Sequence, residues 1–171
     1  MKWVLWIGGG LAGLVGLVAL VGAMLPLRHS ASRKAKYRAS PDAVYAVIAG
    51  PPDWRTGVKS FGVLPEADGK RQWWEEDTHS QKITFEEVER KPGVRLVTRI
   101  ADRNLPFGGT WTFDIAPTAD GGSELRIRED GEVYNIIFRF MARYIFGHTA
   151  TIETYLNDLG AKFGQPVTVE A

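Results

Sequence analysis

Hydrophobic and polar positions divide the chain into two unlike parts. From Trp3 to Leu25 there are 23 consecutive residues without a charge and without a polar face. At about 1.5 Å per residue, a helix over this run spans roughly 34 Å, enough for a hydrocarbon core of about 30 Å. Beyond it, Ser40-Pro41-Asp42 reads as a helix start, with serine as cap, proline in the first turn and an acid near the positive dipole end. That helix carries Val44, Val47 and Ile48 and stops at Gly50-Pro51-Pro52, and a second short helix or turn holds Trp54. The period then changes from helical to alternating. Ser60–Leu64, Arg71–Thr78, Gln81–Arg90, Val94–Ala101, Thr110–Ile115 and Glu124–Arg128 read as antiparallel strands separated by turn signals such as Pro65–Gly69 and Asp120-Gly121-Gly122. With a first strand ending near Ala39, the sheet has six or seven strands. Met141, Ile145, His148, Ile152, Leu156, Leu159 and Phe163 step by three or four and predict one long C-terminal helix, broken or bent near Gly147.

These elements predict an α+β fold in which a curved antiparallel sheet buries its apolar face against the long C-terminal helix. The expected organisation is a transmembrane anchor over 1–27, a basic linker over 28–36, a folded domain over 37–164 and a tail over 165–171. An uncleaved anchor is favoured over a signal peptide, because the apolar run exceeds the ~7–15 residues of a signal core and Val21-Gly22-Ala23 fits a cleavage site poorly. Six glycines in the run would weaken a helix in water, but lipid offers the backbone no competing partner. Trp3 and Trp6 suit an interface. Lys2 and the amino terminus flank one end, whereas Arg28, Arg33, Lys34, Lys36 and Arg38 flank the other. The heavier basic flank places the domain in the cytoplasm, on a single-pass protein of the cell membrane. Gly9 and Gly13 form a small-xxx-small pair that offers a weak homodimer contact.

Charge changes this picture little. The chain has 21 basic and 20 acidic residues, and once Lys2 is set aside the rest divide 20 to 20. No general basic field exists for nucleic acid. The absence of cysteine excludes disulfides, thiolate metal sites and a cysteine nucleophile. His29, His79 and His148 have no metal-ligand spacing, and no Gly-x-Ser-x-Gly elbow occurs. No metal and no cofactor are expected. The acidic run Trp74–His79 reads as a solvated strand edge rather than a metal site.

Several strings resemble the SRPBCC superfamily, which includes START-like lipid carriers and polyketide cyclase/dehydratase-like proteins. They are Ala39–Tyr45, Phe85-Glu86-Glu87-Val88, Gly109–Phe113, and Glu129–Asn135 running into Phe146-Gly147-His148-Thr149. The resemblance covers roughly Lys34 to Phe163. It implies a helix-grip fold with a deep, mostly apolar cavity between sheet and C-terminal helix. It implies no particular reaction, since the superfamily mixes carriers and enzymes.

On that fold, Trp54, Trp73, Trp74, Thr98, Trp111, Phe113, Tyr134, Phe138, Ile145 and Ile152 are the candidate cavity lining. Core packing is the alternative for each of them. Trp73 and Trp74 must face opposite sides of their strand, and the register leaves open which one turns inward. Strand parity with Leu125 and Ile127 points Glu129 inward. His148 lies on the helix stripe, so the two are a candidate acid–base pair. The alternative is a satisfied core histidine. Ile136–Tyr144 is apolar and aromatic, with Arg139 and Arg143 four apart, which suits either a membrane interface or a helix start packed on the sheet. The expected function is a membrane-anchored module that takes a hydrophobic or lipidic small molecule into its cavity. An enzyme using Glu129 and His148, or an interaction module with a collapsed cavity, are the alternatives.

Overall fold

The computed structural model describes residues 2–171. Met1, whose amino group enters the orientation argument, lies outside them. The apolar run forms α1 (Lys2–Met24), a helix of 23 residues. It is long and apolar enough to cross a membrane, and a signal sequence meets the same test. Only 6% of its apolar window is buried, so it does not serve as the core helix of this domain.

Next comes β1 (Arg28–Tyr37), paired antiparallel along its whole length with β7 (Ser123–Val133), from Arg28 opposite Glu132 to Tyr37 opposite Ser123. The stretch over 28–36, expected as a linker, is therefore an edge strand. Its cations are held by acids on neighbouring elements: Arg28 with Glu132 at 2.9 Å, Lys34 with Glu124 at 3.2 Å, Arg33 with Glu153 at 2.9 Å. Between them Ala31, Ala35 and Tyr37 turn inward onto the core. The tail is also tied down, because the Lys34 and Glu170 backbones exchange hydrogen bonds of 3.0 and 2.9 Å.

The other strands are β2 (Val58–Ala67), β3 (Lys70–Asp77), β4 (Lys82–Lys91), β5 (Arg95–Ile100) and β6 (Phe107–Pro117). They form a seven-stranded sheet in the order β1-β7-β6-β5-β4-β3-β2, every pair antiparallel. One helix, α2 (Pro41–Ile48), follows β1. Around Trp54, read as a second short helix or turn, the chain makes tight turns, with Arg55 N donating to Pro52 O at 3.0 Å and Val58 N to Arg55 O at 3.1 Å. Ser40 caps α2 as expected, its hydroxyl accepting from Ala43 N at 3.3 Å. Ser40→Ala should cost about 1 kcal/mol of stability, read as a lower thermal midpoint of the full chain in detergent.

The predicted C-terminal helix is two helices. Ile136–Met141 forms α3, a π-helical turn covers Ala142–Phe146, and α4 runs Ala150–Lys162. The break falls at Gly147, which adopts a left-handed φ of 74°. Ile152, Leu156 and Leu159 of α4 are wholly buried against Leu125 and Ile127 of β7, Phe113 and Ile115 of β6, and Val44 of α2. Met141, Ile145 and His148 are not part of that stripe. Beyond the break the same spacing faces another way, and Ile145 is 59% exposed.

Candidate functional site

A cavity of about 590 Å³ lies between the concave face of the sheet and the C-terminal segment. It is open, not filled by its own aromatics. Its walls include Trp54, Trp73, Phe85, Trp111, Phe113 and Tyr155. Tyr155 organises the group, with Trp54 edge-on at 5.0 Å, Phe113 at 5.4 Å and Trp111 at 5.9 Å between ring centroids. Cross-strand pairing explains the rest: Trp73 faces Phe85 across β3 and β4, and the rings stack at 5.7 Å.

Of the expected lining, Trp54, Trp73, Thr98, Trp111, Phe113 and Phe138 border the cavity. Four do not. Trp74 turns to the outer face, where the Lys82 ammonium sits 4.3 Å from its ring and the ring covers Gly62. Tyr134 is half exposed and donates to Glu132 at 2.9 Å. Ile145 lies outside because the helix breaks before α4. Ile152 points into the solid core between α4 and the sheet, with no exposed surface.

Two of the carboxyl groups on the cavity wall, Glu75 and Glu129, have unlike surroundings. Glu75, expected on a solvated edge, is 9% exposed. Its two oxygens are taken by Arg55 at 2.7 Å and by the Trp73 indole N–H at 3.0 Å. The Arg55 guanidinium also lies 4.9 Å from the Tyr155 ring centre. That carboxylate is fully engaged, so it holds the cavity wall together. Among the described residues Glu129 has no lysine or arginine partner. Burial pushes its carboxyl up to about 7, and the Trp111 indole opposite it on β6 offsets this only in part.

Glu129 and His148 come together through a third residue, His29. The His29 Nε2 lies 3.5 Å from Glu129 Oε1, and its ring stacks on His148 with centroids 3.9 Å apart. Both histidines sit below their ordinary value. For His29 the causes are burial and then the neighbouring His148, opposed by Asp130. For His148 they are burial and then Arg143. Around neutrality the cluster therefore consists of two uncharged imidazoles beside a carboxyl near its own midpoint. Such a group gives or takes a proton without a large penalty. Among the described residues no group of three His, Cys, Asp or Glu side chains is arranged to hold a metal ion.

His29 was legible in one respect. It shares strand parity with Ala31, Ala35 and Tyr37, although the basic neighbours disguise the strand. The space for it is made on β7. Gly131 stands opposite His29, and a Cβ there would fall on the imidazole, 2.5 Å from Nε2. Gly131→Ala should displace the ring from His148 and raise the His29 pKa toward 6.5, as followed by titrating the histidine ring resonances.

No family model and no curated protein matches this chain. Solved structures do. Norcoclaurine synthase from Thalictrum flavum superimposes with a TM-score of 0.60 at 10% identity, covering 79% of this chain and 86% of that one. A START superfamily protein from Mycobacterium smegmatis gives 0.59 at 17% identity, with coverage of 80% and 97%. The di-domain ARO/CYC StfQ from the steffimycin biosynthetic pathway gives 0.61 at 14% identity, and the match covers 79% of this chain but only 50% of StfQ. At these identities the likeness is one of architecture. A seven-stranded antiparallel sheet closed by a C-terminal helix over an open cavity gives this chain a helix-grip fold.

Proposed function

We propose that this protein binds a hydrophobic or lipidic small molecule in its cavity while α1 holds the domain at the cytoplasmic face of a cell membrane. The observation that carries the reading is a cavity of about 590 Å³ walled by aromatic side chains, within the size of known ligand pockets. The tether supports it, since a poorly soluble ligand is concentrated where the bilayer is. The basic flank from Arg28 to Arg38 supports the orientation. Native mass spectrometry of the full chain, purified in detergent from its native host, tests the proposal together with solvent extraction. A reproducible bound mass in the folded protein is expected. Repeated recovery of empty protein would sink it.

The His29–Glu129–His148 cluster favours a second reading, that of an enzyme of the cyclase/dehydratase type. Here Glu129 and His148 exchange a proton with the ligand, and His29 connects them. The two readings separate on the bound molecule. A carrier releases what it took up, whereas an enzyme releases a product of altered structure whose formation stops in Glu129→Gln.

A further inference from the structure

We propose that Ile136–Phe146, comprising α3 and the π-helical turn, docks on the lipid bilayer and sets the cavity opening against it. This rests on the reading of α1 as a membrane anchor. A helix of 23 residues reaches roughly 34 Å, so its last turns sit at the edge of a hydrocarbon core of about 30 Å. The element packed beside those turns is α3. The Gly22 backbone and the Ile136 carbonyl approach so closely that a Cβ at 22 would collide with the oxygen. Arg139 fixes the arrangement: its guanidinium donates to Val133 O at 2.7 Å, Tyr134 O at 3.2 Å and Leu25 O at 3.3 Å. Val133 N in turn donates to Leu27 O at 2.9 Å. Whatever depth the end of α1 takes in a bilayer, α3 takes with it.

The surface at that depth is apolar. Phe138, Tyr144, Ile145 and Phe146 are 49%, 59%, 59% and 61% exposed, a grouping that water would not favour on a soluble domain. The segment holds no acidic residue, and its exposed charge, Arg143, suits anionic headgroups. The segment packs beside α1, whose own apolar side chains are exposed along its length, which argues for lipid rather than a second copy of the chain as occupant. Phe138, Ala142 and Phe146 also border the cavity, as does His148 just beyond them. The wall that meets lipid is thus the wall a ligand would pass.

The absence of cysteine makes the test direct. Three full-length single-cysteine chains, Leu14→Cys, Ile145→Cys and Val94→Cys, are labelled with NBD and placed in nanodiscs of phosphatidylethanolamine and phosphatidylglycerol. All three positions are exposed, so labelling leaves the core intact. With acyl-brominated phosphatidylcholine added, emission from the Ile145→Cys label should fall at least about twofold, as from the Leu14→Cys label, while the Val94→Cys label on the β4–β5 turn is unchanged. Quenching from Leu14→Cys but not Ile145→Cys overturns the docking and leaves the anchor standing. Quenching from neither overturns the anchor and the docking together. A blue-shifted Ile145→Cys label without quenching means that protein covers the patch, and this also overturns the proposal.

Discussion

Glu129→Gln is expected to stabilise the folded chain by up to about 3 kcal/mol at pH 8 and to leave it nearly unchanged at pH 4. The Glu129 carboxyl has an ordinary value of 4.5 and is raised to about 7 by burial. Between these two values the folded chain keeps a proton that the unfolded chain has lost. Stability therefore falls as pH rises through that window and levels off above it. Glutamine keeps the shape without the charge, so the fall disappears. The histidines act oppositely. Because His29 and His148 lie below 6.5, their contribution is lost as pH drops beneath that value. In the native chain the two slopes oppose each other. In Glu129→Gln the histidine slope is no longer opposed by this carboxyl, and stability should rise as pH climbs toward 6.5. Urea unfolding of the detergent-solubilised full chain, followed by its β-sheet circular dichroism across pH 4 to 9, measures both effects. Destabilisation at pH 8 would mean that the carboxylate is ionised and held by a cation, which would remove the near-neutral midpoint from the site.

Thr98→Trp should weaken capture of a hydrophobic probe by about a hundredfold, or roughly 2.7 kcal/mol. Thr98 sits on β5 between Glu87 of β4 and Trp111 of β6, and it faces the cavity. An indole from that point occupies the space between the sheet and Tyr155. Binding of 1-anilinonaphthalene-8-sulfonate to the full chain, read by fluorescence, checks it, and the circular dichroism of the same sample establishes folding. A folded variant that binds the probe as well as the parent would place the probe, and the proposed ligand with it, outside this cavity.

Much of the architecture can be read from residue patterns because each strand has one wet and one dry face. The alternation of Trp111, Phe113 and Ile115 needs no tertiary knowledge, and it correctly sets the inward face of β6. Glu129 follows from Leu125 and Ile127 by the same parity. The site is less legible, because it depends on which strands lie side by side. His29 is 100 residues from Glu129 in sequence, and only the β1–β7 pairing brings their side chains to 3.5 Å. Glu75 and Arg55 illustrate the same point. An acidic strand reads as solvated until a turn 20 residues earlier supplies its guanidinium. Ile145 fails for another reason. Helical spacing continues across Gly147, but one left-handed residue redirects the chain, so one periodic stripe becomes two faces with different partners.

Residue spacing alone establishes an apolar run of 23 residues, a period-two stretch that must be sheet, and an amphipathic α4, because local spacing dictates which side of an element can be dry. Long-range pairing is what makes the basic stretch after the apolar run an edge strand, turns Trp73 rather than Trp74 inward, and joins Glu129 to His148 through His29. These depend on strand order and register, which are settled by packing across long sequence separations rather than by the residues' own preferences.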